Sequence, residues 1–254
     1  MSGEVTQMAA NLARVRERME RAASRVGRRA EDITLIGVSK VHPAERIRQL
    51  YEAGIRHFGE NRVQEWESKR ALLLNLDAMW HLIGHLQSNK VARAVRLFHS
   101  IDSVDSIALA ERLDRTKKEF NTEGTEGTEK REKSTGVERG ERLRVLIEVR
   151  LDPTAAKSGV SDAELPRLAE AVLRFPNLEL RGLMGVPAYF EDVEKVRPYF
   201  RRLRELRDAL RAQLGGEILP LLSMGMSHDF EVAIEEGATE IRVGTALFGE
   251  RKKD

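Results

Sequence analysis

Short apolar runs and longer amphipathic segments alternate along most of this chain. The first run, "DITLIGVSK", is followed by the helix-like "PAERIRQLYEAG". Later pairs keep this order, such as "RVLIEVR" before "SDAELPRLAEAVLRF" and "ILPLLSMG" before "SHDFEVAIEEG". Strands that alternate with helices form parallel sheets, and about eight such units in one chain predict a (β/α)₈ TIM barrel of the α/β class.

An open, doubly wound sheet is the alternative fold for the same alternation. Its dinucleotide-binding version is disfavoured, because no G-x-G-x-x-G motif follows the first predicted strand. Ahead of that strand, apolar residues recur at helical spacing and predict an extra amphipathic N-terminal helix. These residues are Met8, Leu12, Val15, Met19 and Val26.

One polar segment interrupts the alternation. Residues 121–142, "NTEGTEGTEKREKSTGVERGER", contain a repeated "TEG" and almost no apolar residues. Such a segment cannot bury enough apolar surface to order itself, so we expect a disordered low-complexity insertion. It lies between a helix and the next strand, which in a barrel is the face away from the active site. We therefore expect residues 1–254 to form a single domain.

Composition narrows the class of partner. Lys and Arg number 43 against 41 Asp and Glu, a net charge of +2, which does not favour nucleic-acid binding. The absence of cysteine excludes disulfides and thiolate metal sites, and no His/Asp/Glu cluster has metal-ligand spacing. No signal peptide and no apolar run of ~18 residues are present, so we expect a cytoplasmic protein that does not enter a membrane.

Polar residues and glycines follow several of the predicted strands. Lys40 ends the first strand, and Asn61 follows the second. Barrel active sites form where strands end and the next loops begin, so these side chains are expected at one mouth. A lysine at the end of a buried run either marks where the strand reaches water or lies in a pocket with a chemical role.

The last two strands end in sequences that could hold a phosphate. "SMGMSHDF" offers Ser223, Gly225 and Ser227, and "RVGTALFG" offers Gly244 and Thr245. Glycine lets the backbone approach an anion closely, and hydroxyl groups add donors. Each piece alone could be an ordinary helix cap, but adjacent strands of a barrel commonly form a phosphate site together.

A phosphate site combined with a lysine suggests Schiff-base chemistry. A partly desolvated lysine can be neutral and attack an aldehyde. The aldehyde could be pyridoxal 5′-phosphate (PLP), or a sugar phosphate as in a class I aldolase. The residues alone leave both possibilities open.

A set of longer motifs resembles one known family. "LIGVSK", "HFGENRVQE", "WHLIGHLQSNK", "KSG", "RGLMG", "LSMGMSHDFEVAI" and "RVGTALFGER" occur in this order. They resemble the YggS/PROSC family of pyridoxal phosphate homeostasis proteins, which share the alanine racemase barrel known as PLP fold type III. The resemblance extends from about residue 5 to residue 251, apart from the insertion at 121–142.

The resemblance implies a role for particular positions. Lys40 would form the internal aldimine, and Arg242 would face the pyridine nitrogen. Ser223, Gly244 and Thr245 would hold the phosphate. The full set of cofactor-binding positions is Lys40, Asn61, Ser223, Gly225, Ser227, Arg242, Gly244 and Thr245.

The expected function is to hold PLP for intracellular homeostasis with little or no catalysis. Arginine only donates hydrogen bonds, so Arg242 would keep the pyridine nitrogen unprotonated and a poor electron sink. The chain ends soon after the eighth predicted strand, which favours a monomer without the racemase dimer domain. Apo PLP-dependent enzymes are possible acceptors. The alternative is a PLP-dependent racemase in which a water or Lys157 acts as the second base.

Overall fold

The computed structural model describes residues 2–122, 137, 140–152, 158–215 and 218–249, with side chains from residue 7 onwards. Parallel strands follow one another in chain order, and the last pairs with the first to close a barrel. This confirms the predicted (β/α)₈ fold. The strands are β1 (Thr34–Val38), β2 (His57–Glu60), β3 (Met79–Leu82), β4 (Ser100–Val104), β5 (Leu143–Val149), β6 (Leu178–Gly185), β7 (Leu221–Ser223) and β8 (Glu240–Val243).

Helices surround the barrel and cover its outer face. In the described ranges they are α1 (Ser2–Arg25), α2 (Ala44–Glu52), α3 (Val63–Arg70), α4 (Val91–Leu97), α5 (Ile107–Thr122), α6 (Leu165–Leu173), α7 (Arg197–Leu214), α8 (Phe230–Glu235) and α9 (Thr245–Phe248). Short 3-10 helices lie at Ala30–Asp32, Ser88–Lys90 and Val193–Val196. Strands such as β1 and β6 bury apolar side chains on both faces, which is why their sequences are nearly continuous apolar runs, whereas β2, β4 and β8 also bury polar side chains.

The N-terminal helix α1 packs against α8, α9 and α2, the helices around the β1–β8 seam. Met8, Leu12, Val15 and Met19 are buried, as their helical spacing predicts. The prediction for Val26 was wrong, because α1 ends at Arg25 and the Val26 side chain is 42% exposed.

Two polar contacts fasten α1 to the last elements of the chain. Asn11 Nδ2 donates to the Leu247 carbonyl in α9 at 2.9 Å. Arg18 makes a two-pronged ion pair with Glu231 in α8, with both N–O distances at 2.7 Å. The added helix therefore supports the two segments that follow β7 and β8.

Most of the low-complexity segment 121–142 lies outside the described residues. Helix α5 continues through Thr122 and so includes the first two positions of the segment. The disorder and the single-domain organisation stay predictions. Within the described part of the chain, no helix is long and apolar enough to cross a membrane.

Candidate cofactor site

The seam between β1 and β8 places the predicted lysine and phosphate pieces at one edge of the barrel. Ile36 pairs with Arg242 in the strand register, and Gly37 pairs with Val243. A Cβ built on Gly244 would lie 3.5 Å from the Val38 Cβ. Lys40 follows Val38 by two residues, so Lys40 and Gly244 leave neighbouring strands at the same end.

Arg242 is a buried guanidinium group at this end of β8. It is only 4% exposed, Nη1 donates to Ser223 Oγ at 2.7 Å, and Nη2 donates to the Gly185 carbonyl at 2.9 Å. Burial lowers the pKa of Arg242, while the carboxylates of Asp102 and Glu240 oppose that shift. An arginine stays protonated even so, and the group is a fixed positive charge inside the barrel.

The Ser223 hydroxyl connects Arg242 to a buried acid on β8. It accepts from Arg242 and is hydrogen-bonded to Glu240. Burial and the neighbouring Asp102 raise the pKa of Glu240 to about 7, although His81 and Arg242 partly oppose the shift. Ser223 as a phosphate ligand stays a prediction, since its observed partners are these two side chains.

The loops after β7 and β8 converge on one hydroxyl oxygen. Ser227 Oγ accepts from the Gly244 N–H and from the Ala246 N–H, both at 3.2 Å. The exposed Thr245 lies between these two donors in sequence. Backbone N–H groups that point to one place are typical of anion-binding recesses, and we call this one the phosphate-type recess. Phosphate binding by Gly244 and Thr245 stays a prediction.

Gly225 shapes the loop after β7 through its backbone. Its φ is +92°, and a Cβ there would lie 2.6 Å from the Ala233 Cβ in α8. Only glycine fits this combination of left-handed backbone and close packing. The next turn is held by Asp229, whose Oδ1 accepts from the Met226 N–H at 2.6 Å. The role of Gly225 is therefore to let the backbone follow this loop path.

Asn61 follows β2 and lines a cavity of about 480 Å³ at the same end of the barrel. The cavity also includes Gly84, where a Cβ would lie 2.3 Å from the Asn61 carbonyl oxygen. The two loops therefore touch through their backbones. His85 lines this cavity and two others beside it, of about 620 and 210 Å³.

A polar string runs through the barrel interior from β2 to β4. His57 Nδ1 lies 3.0 Å from His81 Nε2, and His81 Nδ1 lies 3.0 Å from Asp102 Oδ2. Burial opposes charge on His81, but the Asp102 carboxylate outweighs it and raises the pKa of His81. Burial, with help from His81, lowers the pKa of His57 to about 4. We interpret both histidines as structural.

Several interior and loop residues were missed by sequence reasoning. Glu148 on β5 accepts from Ser158 at 3.0 Å, and burial raises its pKa. Asp102 on β4 was also missed, because nothing in the sequence marks it as a partner of His81 on β3. Lys69 in α3 has one signal, the i,i+4 spacing from Glu65, and that signal indicates an ordinary surface pair.

Tyr189 follows β6, and Lys157, the candidate second base, follows β5 in the sequence. The Tyr189 side chain is 74% exposed and lies against His228 at 5.0 Å between ring centroids. Lys157 falls in the part of the chain that the structure does not describe. Where the structure is described, no group of His, Cys, Asp or Glu could hold a metal ion.

Comparison with known proteins matches this geometry to a family. Residues 7–252 match the alanine racemase N-terminal domain family. The chain is 45% identical over 244 residues to the pyridoxal phosphate homeostasis protein of Aquifex aeolicus, and the match covers 95% of this chain and 97% of that relative. The chain belongs to the pyridoxal phosphate homeostasis protein family. The Escherichia coli member is 37% identical, over 97% of this chain and 98% of its own.

Solved structures agree with this family membership. PipY of Synechococcus elongatus, solved with PLP bound, superposes with a TM-score of 0.78 at 38% identity, over 95% of this chain and 100% of PipY. An alanine racemase of Clostridium difficile superposes with a TM-score of 0.65 at 14% identity, over 88% of this chain and 57% of that one. The racemase likeness shows the shared barrel fold alone.

Proposed function

We propose that this protein binds PLP through a covalent bond to Lys40 and works in intracellular PLP homeostasis, with little or no catalysis of its own. The observation that carries the proposal is the β1–β8 seam. At this seam Val38, two residues before Lys40, lies beside Gly244, whose N–H points into the phosphate-type recess. The name of the Aquifex aeolicus relative and the PLP bound to PipY support the same reading.

The donor set fits a phosphorylated pyridine aldehyde. The Gly244 and Ala246 N–H groups would bind phosphate oxygens, with the hydroxyls of Ser227 and Thr245 beside them. Because Gly225 has no side chain, the loop after β7 would leave room for the cofactor. Asn61 would lie near the pyridine ring. Lys40 would supply the amine for the covalent bond.

Arg242 is the residue that argues for a carrier over an enzyme. When bound, PLP supplies an electron sink that stabilises carbanions. A guanidinium group has five N–H donors and no acceptor, and among the described residues Arg242 donates two protein hydrogen bonds. The remaining N–H groups of Arg242 can donate to a pyridine nitrogen. That nitrogen then stays unprotonated and withdraws electrons weakly. Ser223 and Gly185 would hold the guanidinium in that orientation.

In this role the protein would hold PLP, keep the free pool low and release the cofactor to apo PLP-dependent enzymes. We propose a monomer in the cytosol. These statements extend the name that the relatives carry, and they rest on the site described above.

Covalent loading provides the direct test. We expect added PLP to give a visible absorbance band, and borohydride to fix the adduct on the peptide that contains Lys40, as mass spectrometry would show. Lys40→Ala should lose both signals. Lys118→Ala, at an exposed position of α5, is the matched control and should retain both. A protein that stays colourless with PLP would overturn the proposal and leave the aldolase reading.

Proton exchange separates the carrier from a racemase. The PLP-loaded protein is mixed with L-alanine in D₂O, and exchange at the α carbon is followed by NMR. A carrier should show exchange no faster than free PLP does. Rapid exchange that depends on Lys40 would favour the racemase instead.

A further inference from the structure

The turn that carries Lys40 has an unfavourable backbone conformation. Val41, the next residue, has φ of +61°, a region that β-branched residues rarely adopt. Its side chain is 60% exposed, so burial of the valine does not repay the strain. Within the turn, the His42 N–H donates to the Ser39 carbonyl at 3.1 Å. Strain of this kind persists only when surrounding contacts impose it.

The side chain of Lys69 provides those contacts from α3. Its Nζ donates to the Ser39 carbonyl at 3.0 Å and to the His42 carbonyl at 3.3 Å, one on each side of Lys40 and Val41. The same Nζ pairs with Glu65 Oε1 at 3.1 Å, and that oxygen also accepts a short hydrogen bond from the Val41 N–H. The Lys69 ammonium group thus binds the carbonyl groups at both ends of the turn. It also binds the Glu65 carboxylate, which accepts a hydrogen bond from the Val41 N–H in the middle of the turn.

A buried carboxylate holds Lys69 in place. Glu60, at the end of β2, is fully buried, and its Oε1 lies 2.8 Å from Lys69 Nζ. Ser39 Oγ donates to the same oxygen at 2.6 Å. Lys69 is itself only 8% exposed, so its ammonium exchanges water for protein acceptors. Because protein acceptors surround its ammonium group, Lys69 is held in place, unlike a lysine in a surface ion pair, whose long side chain stays flexible.

The opposite side of the turn packs on α9, the short helix that follows Gly244. The His42 ring stacks on Phe248 of α9, with centroids 4.0 Å apart and planes inclined by 10°. Arg46 donates a short hydrogen bond to the Phe248 carbonyl. The Lys40 turn is therefore held between α3 and the short helix that follows Gly244.

We propose that Lys69 is a positioning residue for the PLP site: it holds the strained 39–42 turn so that Lys40 is presented to the aldehyde of the incoming cofactor. The inference rests on the proposed function. In the step it assists, the neutral Lys40 nitrogen would bond to the aldehyde carbon, its two protons would leave with the carbonyl oxygen as water, and a carbon–nitrogen double bond would replace the carbonyl bond. Lys69 takes no part in that bond.

The first experiment measures the rate of covalent loading by absorbance after mixing with PLP. Lys69→Met should slow loading by about 10- to 100-fold, the cost of a misplaced reacting group. Lys117→Met removes another buried lysine, 1% exposed on α5 beside the Phe120 ring at 4.9 Å. This control should load at the wild-type rate.

Loss of Lys69 leaves Glu60 buried without its cation, and the single variant could fail to fold for that reason alone. Glu60→Gln/Lys69→Met removes the unpaired charge and should restore thermal stability, yet loading should stay slow. Adding Val41→Gly should then restore most of the rate, because glycine adopts positive φ without strain. Wild-type loading in the double variant, or no recovery with Val41→Gly, would overturn the inference.

Amide hydrogen exchange in the apo protein tests the role of Lys69 independently of the proposed PLP binding. In the apo protein the Val41 N–H should exchange faster in Glu60→Gln/Lys69→Met than in the wild type, and unchanged exchange would count against Lys69 as the clamp. A wild-type protein that does not load PLP at all would refute the proposed function instead.

Discussion

Arg242 Nη1 donates a 2.7 Å hydrogen bond to Ser223 Oγ, which joins the last two strands of the barrel at their carboxyl ends. The same serine is hydrogen-bonded to Glu240. The cation therefore lies in a buried polar group that also includes Asp102, and its removal would take a positive charge away from these carboxylates.

Replacement of this cation should be costly for stability. We expect Arg242→Met to lower the free energy of unfolding by about 3–6 kcal/mol, because it removes two buried hydrogen bonds from a charged donor, each worth about 1.5–3 kcal/mol. Urea denaturation measures it. Arg202→Met is the control, because its pair with Asp162 is half exposed on both sides and should be worth under ~1 kcal/mol. Equal losses in the two variants would contradict the role of Arg242 as the central buried cation.

Glu240 should make stability depend on pH. Its folded-state pKa is raised to about 7 from an ordinary 4.5, so the folded chain holds this proton more tightly than the unfolded chain. The stabilisation that protonated Glu240 contributes is fully present below the pKa of the unfolded chain. It is lost as pH rises through the pKa of the folded chain. At about 1.4 kcal/mol per pKa unit, the loss is on the order of 3 kcal/mol.

Glu240→Gln keeps the shape and removes the titration. Relative to the wild type, its free energy of unfolding should therefore rise between about pH 5 and about pH 8. Urea denaturation at both values measures the difference. A constant difference across that range would show that Glu240 does not titrate there in the folded protein.

The loop glycine after β7 should be irreplaceable. Gly225→Ala introduces a Cβ 2.6 Å from the Ala233 Cβ and 3.0 Å from the Phe230 Cα, at φ of +92°. Gly27→Ala is the matched control, since Gly27 also has positive φ, +68°, but nothing lies within 4 Å of its added Cβ. We expect Gly27→Ala to cost about 1 kcal/mol and Gly225→Ala clearly more. Thermal unfolding compares them, and similar losses would contradict the packing argument.

Ser227 should act on the phosphate and not on the pyridine ring. In Ser227→Ala, the Gly244 and Ala246 N–H groups lose their common acceptor, and the recess loses a hydroxyl donor. We expect PLP binding to weaken about tenfold, the value of one hydrogen bond to a charged group. Binding of pyridoxal, which has no phosphate, should not change. Ser24→Ala at an exposed position of α1 is the control. A loss equal for both ligands would count against the recess as the phosphate site.

The sequence pattern was sufficient for the barrel because parallel strands bury both faces and leave long apolar runs, as in β1 and β5. Lys40 and Gly244 could be expected at one edge, since strand ends in a barrel share a mouth. The partners of Arg242 and the clamp by Lys69 could not be expected. They depend on which side chains from different strands and helices come into contact. The periodicity of apolar residues does not predict such individual contacts. Val26 was misplaced because its spacing fits a helix that had already ended.

The closing seam has a consequence for synthesis of the protein. Strand β1 pairs with β2 on one side, but its partner on the other side is β8, with Thr34 beside Glu240 and Gly37 beside Val243. A nascent chain emerging from the ribosome therefore presents Lys40 early but lacks Arg242 and Gly244 almost until translation ends. Because long-range pairing of this kind is slow, capture of an aldehyde at Lys40 would be a property that the newly made chain acquires last.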